Sequence, residues 1–283
     1  MKYKDSPLVS IGMPVYNCSS TLAPAIESIL AQSYVNFELI LSDNASSDDT
    51  PNICRYFSSI DSRVKFHQQP VNVGVILNFN YVLSNSIGDF FMWAAGDDIR
   101  SSTFLEENME ALLADDNLVA STSPNRMGAD YRAVDFGLYG NYFQRINRFL
   151  QNSYKSHGLF YSVMRIDVIR QCHWLNEEFI AWDWAVVLFL ASKGEINRTQ
   201  NALCIFGVNG TSNSKEKYAG YGLNWFTRHI PFWKFTKKSI KMATRSWSFQ
   251  YLIFLIKLFR LNSRVLLEES RHTLKLALRN RGC

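Results

Sequence analysis

Two adjacent carboxylates, Asp97 and Asp98, follow an apolar run over residues 90–95 and a single glycine. Neighbouring carboxylates repel each other unless a cation or a hydrogen-bond donor lies between them. Divalent ions such as Mg2+ and Mn2+ prefer oxygen ligands and often combine one or two protein carboxylates with substrate phosphates. The pair therefore indicates a site for a metal-bridged diphosphate. The alternative is structural: Asp97 would be a turn residue, and Asp98 would cap a helix that begins near Ser101.

A lone carboxylate, Asp183, stands between Trp182 and Trp184 at the start of an otherwise apolar helical segment. An aspartate at this position could simply cap the helix. Capping does not require flanking aromatic rings, however, and apolar surroundings would raise the pKa of Asp183 toward the range of a general base. Asp183 is therefore a candidate catalytic base.

The elements that must position these residues alternate between strands and helices. The apolar runs predicted as strands cover residues 8–14, 37–41, 64–67 and 90–95, with helical segments between them. This alternation predicts an α/β fold with a mostly parallel sheet, in which ligands bind outside the carboxyl ends of the strands. Four polar residues follow strands at that edge: Tyr16, Asp43, Asn72 and Asp97. Each alone could be ordinary loop chemistry, Asn72 above all, but their common position favours one binding crevice.

Four motifs occur in order along this first part of the chain, at residues 9–17, 43–50, 72–74 and 96–98. Neither a G-x-G-x-x-G fingerprint nor a G-x-x-x-x-G-K-[ST] loop accompanies them, which disfavours a dehydrogenase or a P-loop enzyme. The motifs resemble the ordered landmarks of family 2 glycosyltransferases with a GT-A (Rossmann-like) fold, of the bacterial surface-polysaccharide type. The resemblance covers about the first 120 residues well and continues more loosely to about residue 215.

The resemblance implies a nucleotide-sugar donor and a role for each matching residue. The turn from Pro14 to Tyr16 would pack against the nucleotide base, and Asp43 would accept a hydrogen bond from it. Asn72 would lie near the nucleoside, and Asp97 would reach the diphosphate through Mn2+ or Mg2+. A divalent ion offsets the negative charge that develops on a departing pyrophosphate.

The resemblance also implies a role for the acceptor half. The family's catalytic base falls at Asp183, which would take the proton of an acceptor hydroxyl as its oxygen attacks the anomeric carbon with inversion. Trp182 and Trp184 would stack on sugar faces. His157 is assigned to the acceptor or a phosphate, with a helix cap or a hydrogen bond to a loop carbonyl as the alternative.

The sequence departs from the family pattern at two positions. Many members have Asp-x-Asp-Asp where this chain has Ala95, so a ribose or metal contact is lost or is supplied by Asp98, which we assign as a second metal ligand. The glycine- and serine-rich loop over residues 207–214 is expected to act as a mobile lid over the donor. Relatives often carry a histidine in this loop, where this chain has Asn209.

Charge divides the chain into two parts. From Trp225 onward there are 13 Lys and Arg against two Glu, a balance of +11, whereas the preceding residues hold 17 basic and 23 acidic side chains, a balance of −6. We therefore predict a GT-A domain over residues 1–218, with a donor half at 1–122 and an acceptor half at 123–218. A basic amphipathic helical region would follow at 219–283.

The five cysteines are scattered, which indicates reduced thiols and not a disulfide framework. No apolar signal core precedes the first strand, so a cytoplasmic location is expected.

Aromatic residues alternate with Lys and Arg in the basic region, which is typical of an interfacial helix. Its longest apolar run, residues 251–256, is too short to span a bilayer. Peripheral binding to the inner face of the cell membrane is the first interpretation. Packing on the body or homodimerisation is the second, and nucleic acid is disfavoured because no recognition motif is present.

These features predict an inverting, metal-dependent, hexosyltransferase-type enzyme that uses a donor of UDP type and a glycan or lipid-linked acceptor in cell-surface polysaccharide synthesis. The contrasting hypothesis is a degenerate domain that binds a sugar nucleotide as a scaffold or regulatory subunit. A nucleotidyltransferase is a weaker rival because no basic residue for a triphosphate stands between Pro7 and Gln32.

Overall fold

The computed structural model describes residues 6–127, 131–132, 136–153, 157–207, 232–243 and 250–263. Its first part alternates strands and helices, as the sequence predicted. Short apolar runs that end in polar residues form the strands, and segments with apolar residues every three or four positions form the helices. In chain order the elements are β1 (Val9–Val15), α1 (Ser19–Leu30), β2 (Phe37–Asp43), α2 (Thr50–Ile60), β3 (Val64–Gln68), α3 (Val75–Ser84) and β4 (Phe90–Trp93).

The second part is less regular. It contains β5 (Ile99–Arg100), α4 (Phe104–Ala114), β6 (Leu118–Thr122), β7 (Asn125–Met127), β8 (Tyr131–Arg132), α5 (Tyr142–Asn152), α6 (His157–Phe160), β9 (Val163–Arg165), α7 (Ile166–Ile169), α8 (Trp182–Lys193), β10 (Glu195–Arg198), β11 (Cys204–Phe206) and α9 (Trp233–Met242). A last helix, α10, covers residues 250–263. α5 begins at a reciprocal capping box, in which Asn141 and Gln144 each accept the other's backbone N–H.

The central sheet has seven strands in the order β10-β6-β9-β4-β1-β2-β3. Its pairs are parallel except those of β9, which runs antiparallel to β4 and to β6. The predicted mostly parallel sheet is therefore confirmed. Because Val15 pairs with Asp43, β1 and β2 end at the same level and deliver their polar loops to the same edge.

A second sheet contains four short strands in the order β5-β11-β7-β8, which come from three separate parts of the chain. β11 is antiparallel to β5 and parallel to β7. This arrangement brings the residue after β11, Gly207, to the segment that follows β4.

Two apolar cores flank the central sheet, because successive side chains of a strand point to opposite faces. In β4, Met92 belongs to one core, and Phe91 and Trp93 belong to the other. α8 is almost wholly buried in the core that contains Trp93, so it is fixed firmly against the sheet.

The two helices of the basic region, α9 and α10, pack on this same core. Phe235 and Phe254 are fully buried in it. Lys238 forms a 2.6 Å ion pair with Glu177, and the Lys257 ammonium donates to the Asn147 carbonyl at 2.9 Å. Packing on the body, an alternative that the sequence left open, therefore accounts for part of the apolar surface of the tail. Among the described residues, no helix is long and apolar enough to cross a membrane.

Candidate active site

The loops after β1 and β2 are joined by a chain of hydrogen bonds. The Asn17 N–H donates to Ser46 Oγ at 2.9 Å, and Ser46 Oγ in turn donates to the Asp43 carboxylate. The Ser46 N–H also donates to both oxygens of Asp43, at 3.3 and 3.2 Å. Asn17 and Ala45 both adopt a left-handed backbone, which lets the two loops turn toward each other. The fully buried Asp43, predicted to meet the nucleotide base, is thus held in a fixed orientation.

Asp48 fastens the same two loops at the starts of their helices. Its carboxylate accepts from the N–H groups of Ser19 and Thr50, both at 3.0 Å. Burial alone would raise the pKa of Asp48, but the hydrogen bonds from Thr50 and Ser19 outweigh it and lower the pKa. The N-termini of α1 and α2 are thus bridged by one anion, as their backbone dipoles favour.

The third loop is positioned by a residue that sequence reasoning overlooked, the buried Asn44. Its side chain donates to Asn72 Oδ1 at 3.0 Å and accepts from the Val73 N–H at 2.8 Å. Its own backbone N–H donates to the Val15 carbonyl at 2.9 Å. Asn44 therefore ties the end of β1 to the loop that presents Asn72, which is exposed.

Tyr16 stands at the end of β1 with 50% of its surface exposed. Pro14, two residues earlier, is partly buried and pairs with Ser42 in β2. An exposed aromatic ring above two rigid loops can stack on a nucleotide base, which is the role the resemblance implies.

The fourth loop carries Asp97 close to the first. The Thr21 hydroxyl donates to the Gly96 carbonyl at 2.9 Å, which holds this loop against α1. The pKa of Cys18 is raised to about 11, mainly by burial and to a smaller extent by the charges of Asp48 and Asp97. The structure therefore brings Asp97 to the same edge as Tyr16, Asp43 and Asn72.

Asp98 lies beneath this edge and has an arginine for a partner. Its Oδ1 accepts from the Gly207 N–H at 3.2 Å, and its Oδ2 lies 3.8 Å from Arg100 Nη2. Both side chains are buried, and burial raises the pKa of Asp98 to about 6, although the charge of Arg100 opposes the rise. A divalent ion bound directly to Asp98 would be repelled by the Arg100 guanidinium. The buried ion pair with Arg100 thus opposes the assignment of Asp98 as a metal ligand, which stays a prediction.

Asp97 remains the carboxylate available to a cation. Asp97 is partly buried, which raises its pKa. Its carboxyl group occupies the space that a β-carbon at position 207 would need, so it lies close against Gly207. The described residues contain no group of three or more His, Cys, Asp or Glu that could hold a metal. Mg2+ commonly binds through one or two carboxylates with substrate phosphates completing the shell. Asp97 therefore fits an ion that is shared with a diphosphate.

Asp183 lies in the first turn of α8, which follows Ala181 in a left-handed conformation. Tyr161 links Asp183 to the donor side. The ring of Tyr161 packs against Phe160 and Phe206. Burial raises the pKa of Tyr161, and the charges of Asp98, Asp183 and Asp97 raise it further. One phenol thus lies within electrostatic range of the donor-side carboxylates and of the candidate base. Sequence reasoning did not single out Tyr161, because its position depends on the meeting of α6, α8 and β11.

The three other predicted acceptor residues have different surroundings. Trp182 is buried among aromatic rings, including Trp93 at 6.1 Å, and its indole N–H donates to the Trp174 carbonyl at 2.9 Å. Its surroundings are those of a core residue, so we no longer assign it to the acceptor. Trp184 is partly buried with its ring 5.5 Å from that of Phe232, and His157 is partly buried at the start of α6. The loop with Asn209 lies outside the described residues.

Comparison with known proteins identifies the fold. TarS of S. aureus in complex with UDP-GlcNAc matches with a TM-score of 0.66 and 14% identity, over 89% of this chain and 72% of that one. The mannosyltransferase PcManGT from Pyrobaculum calidifontis, in complex with GDP-Man and Mn2+, matches with a TM-score of 0.62 and 16% identity, over 97% and 76%. The architecture is thus that of the GT-A glycosyltransferases.

Sequence comparison gives the family. The model of "Glycosyl transferase family 2" matches residues 10–171, which is more than half of the chain. The protein therefore belongs to glycosyl transferase family 2.

Individual relatives match over part of the chain. EpsE of Bacillus subtilis is 42% identical over 107 residues, 38% of each chain. The Escherichia coli UDP-Glc:alpha-D-GlcNAc-diphosphoundecaprenol beta-1,3-glucosyltransferase WfgD is 37% identical over 109 residues, 38% of this chain and 42% of WfgD. The matched region thus spans less than half the length of these relatives.

Proposed function

We propose that this protein transfers a sugar from a nucleotide-sugar donor to a glycan or lipid-linked acceptor, with inversion, in the synthesis of a cell-surface polysaccharide. The observation that carries the proposal is the common neighbourhood of Asp97, Asp183 and Tyr161. This neighbourhood supports a single site with one carboxylate for the diphosphate side and another for the acceptor side.

A UDP-linked donor is the best-supported choice. The ordered loops that carry Tyr16, Asp43 and Asn72 offer an exposed ring, a buried carboxylate and an exposed amide at one edge of the sheet. TarS binds UDP-GlcNAc, and WfgD is named for UDP-Glc. PcManGT binds GDP-Man, so a guanine nucleotide is the competing donor to include in a screen.

In the proposed reaction, Asp183 accepts the proton of the acceptor hydroxyl as the oxygen forms its bond to the anomeric carbon. The bond between that carbon and the diphosphate oxygen breaks, and the electron pair leaves with the nucleoside diphosphate. The Tyr161 hydroxyl is protonated at neutral pH, as a tyrosine ordinarily is, and its raised pKa keeps it so, which leaves it able to donate a hydrogen bond. A divalent ion held at Asp97, when bound, offsets the charge of the leaving diphosphate.

A lipid-linked or glycan acceptor is supported by the relatives and by the basic helices. WfgD is named for an acceptor that carries diphosphoundecaprenol, a lipid-linked sugar. In this chain α9 begins beside the candidate base, since Phe232 packs on Trp184, the neighbour of Asp183. Work at the cytoplasmic face of the membrane is part of the proposal.

The test compares three variants in donor hydrolysis with Mn2+, measured as nucleotide release from a panel of UDP- and GDP-sugars. Asp183→Asn should lower release about 10²–10⁴-fold, the usual contribution of a general base. Asp97→Asn should lower it by about 10²–10³-fold through lost charge stabilisation. Asp167→Asn, an exposed aspartate in the first turn of α7, is the matched control and should have no effect. A donor at about 100 times its wild-type dissociation constant should stabilise wild type, Asp183→Asn and Asp167→Asn by roughly 2.7 kcal/mol, and Asp97→Asn by less.

A scaffold or regulatory subunit that binds a sugar nucleotide is the second candidate, favoured by Ala95 and by the ion pair that occupies Asp98. It predicts that the protein binds a nucleotide yet releases none from any sugar nucleotide. It also predicts that Asp183→Asn changes nothing, a result that would remove the enzymatic proposal.

A further inference from the structure

Two sides of α9 and α10 differ in what they contact. One side is fixed to the body: Phe235 and Ala243 of α9 and Phe254, Leu258 and Leu261 of α10 are buried in the core that contains Trp93. The two helices also contact each other, since the Asn262 side chain donates to Thr236 Oγ1 at 2.8 Å. The orientation of both helices relative to the body is thereby set.

The other side exposes large apolar residues that these contacts leave uncovered. On α10, Leu252, Ile256 and Phe259 recur at helical spacing and are 54%, 44% and 73% exposed. On α9, Ile240 is 40% exposed. We call these four residues the outer face. Large apolar residues repeated on one face of a helix are more than scattered surface exposure and mark an interaction site.

The outer face is bordered by positive charge. The described parts of the two helices carry six basic residues and no acidic one: Lys234, Lys237, Lys238, Lys241, Lys257 and Arg260. Three of them contact the body, through Glu177, the Glu178 carbonyl and the Asn147 carbonyl. The other three, Lys237, Lys241 and Arg260, are exposed, and within the described residues they form no ion pair.

We propose that the outer face docks on the surface of a bilayer that contains anionic lipids. Apolar side chains with Lys and Arg beside them are the composition of an interfacial helix, which buries its apolar face at the level of the headgroups. Anionic headgroups complement the exposed cations. A second copy of this chain fits poorly, because a two-fold interface would bring two equally cationic faces together.

The start of α9 lies next to the predicted acceptor residue Trp184. Phe232, the residue before α9, lies with its ring 5.5 Å from that of Trp184, which adjoins Asp183. If the proposed function holds, a bilayer beneath α9 and α10 presents a lipid-linked acceptor close to the candidate base. Only this last step rests on the proposed function, and the docking itself does not.

The experiment measures co-sedimentation of the full chain with vesicles, in the absence of donor and acceptor. Vesicles of phosphatidylcholine alone are compared with vesicles that also contain phosphatidylglycerol. Wild type should sediment with the anionic vesicles and much less with the neutral ones. Phe259→Glu and Leu252→Glu should each lower the partition constant about tenfold or more, because an apolar contact is lost and a repelled charge is added. Lys237→Gln with Lys241→Gln should lower it about fivefold per charge.

Ile60→Glu is the matched control, since Ile60 is an equally exposed apolar residue at the end of α2, on the body. It should sediment as wild type does. All variants are first required to keep the melting temperature of wild type, which the exposure of these residues allows. Wild type left in the supernatant, or Phe259→Glu sedimenting as wild type, would overturn the proposal. A dimer in analytical ultracentrifugation that Phe259→Glu dissociates, with no vesicle binding, would also overturn it and assign the face to a second copy.

A separate readout distinguishes this inference from the proposed function. Donor hydrolysis in solution requires no bilayer, so Phe259→Glu should keep the wild-type rate. Loss of vesicle binding with retained hydrolysis supports both proposals. Vesicle binding without hydrolysis by wild type would leave the docking surface in place and remove the catalytic proposal.

Discussion

The donor loops and the reaction side of the cleft satisfy their polar groups in different ways. In the donor loops, Asp43, Asn44 and Asp48 use their side-chain oxygens on neighbouring backbone N–H groups. On the reaction side, Asp98 Oδ2 and two nitrogens of Arg100 are buried without a hydrogen-bond partner. Buried polar groups are almost always paired, and exceptions gather at functional sites. The contrast indicates that the donor loops form a preformed surface, whereas the Asp98–Arg100 pair keeps hydrogen-bonding capacity that its neighbours do not fill.

The largest effect that this comparison predicts within the cleft is that of Tyr161→Phe. Removing the hydroxyl takes away a hydrogen-bond donor within electrostatic range of three carboxylates, and turnover should fall about thirtyfold, the equivalent of ~2 kcal/mol. Donor affinity should change little, because the donor loops are untouched. Steady-state kinetics separate the two quantities. Tyr139→Phe is the control: its hydroxyl donates to Asn197 in the acceptor half, and the variant should keep full turnover. An unchanged turnover in Tyr161→Phe would mean that the phenol only fills space.

A smaller effect, of the opposite kind, is expected from Asn44→Ala. The substitution removes the hydrogen bonds that hold the Asn72 loop to β1, so the Michaelis constant for the donor should rise about tenfold, ~1.4 kcal/mol. Turnover should stay within a few-fold of wild type. Asn85→Ala, at the end of α3, removes a local side-chain bond to the Tyr81 carbonyl and provides the control. If Asn44→Ala lowered turnover more than affinity, the distinction between the two regions would be lost.

The smallest predicted effect concerns stability and its dependence on pH. Glu38, buried in β2 near the opposite edge of the sheet, accepts from Lys65 Nζ at 2.6 Å, from the Ser10 hydroxyl and from the Ile87 N–H. Burial raises its pKa, but these hydrogen bonds outweigh burial and the net pKa is lowered from 4.5. A lowered folded-state pKa means that Glu38 stabilises the fold above pH 4.5 and loses this contribution as the pH falls through the folded pKa. Glu38→Gln should therefore cost ~1 kcal/mol at neutral pH and little in acid, as measured by urea unfolding.

Asp98 supplies the contrast for that experiment. Its folded pKa is raised from 3.8 to about 6, so the unfavourable charging of Asp98 is avoided below pH 3.8 and is felt increasingly as the pH rises toward 6. The free energy of unfolding of Asp98→Asn should therefore increase relative to that of wild type as the pH rises from 4 to 6. That of Glu38→Gln should decrease relative to wild type over the same range. If the two variants showed parallel pH profiles, the distinction would be wrong between Glu38, which stabilises the fold when charged, and Asp98, whose charging is unfavourable.

Much of the fold could be predicted from the sequence, because it depends on local patterns. Apolar runs that end in polar residues gave the first four strands and their common edge, and with it the position of Asp97 beside Tyr16. The order of the strands and the antiparallel β9 could not be predicted, since they depend on pairings between distant segments. The short second sheet was missed for the same reason.

Within the site, the residue types were readable but their partners were not. Asn44 and Asn72 are 28 positions apart, and no local pattern links them. Arg100 is only two residues from Asp98, yet their pairing depends on the direction that β5 gives the arginine side chain. Trp182 was predicted to stack on the acceptor sugar because it flanks Asp183. Since α8 is apolar on most sides, its sequence does not reveal which face meets the core.

The buried guanidinium of Arg100 has one more consequence. Arginine keeps its proton at any physiological pH and cannot diffuse away, unlike a dissolved cation. Part of the anionic charge after β4 is therefore balanced within the polypeptide itself. Chelating agents should consequently leave the melting temperature unchanged. Under the proposed function they should stop turnover, and adding Mn2+ back should restore activity without refolding.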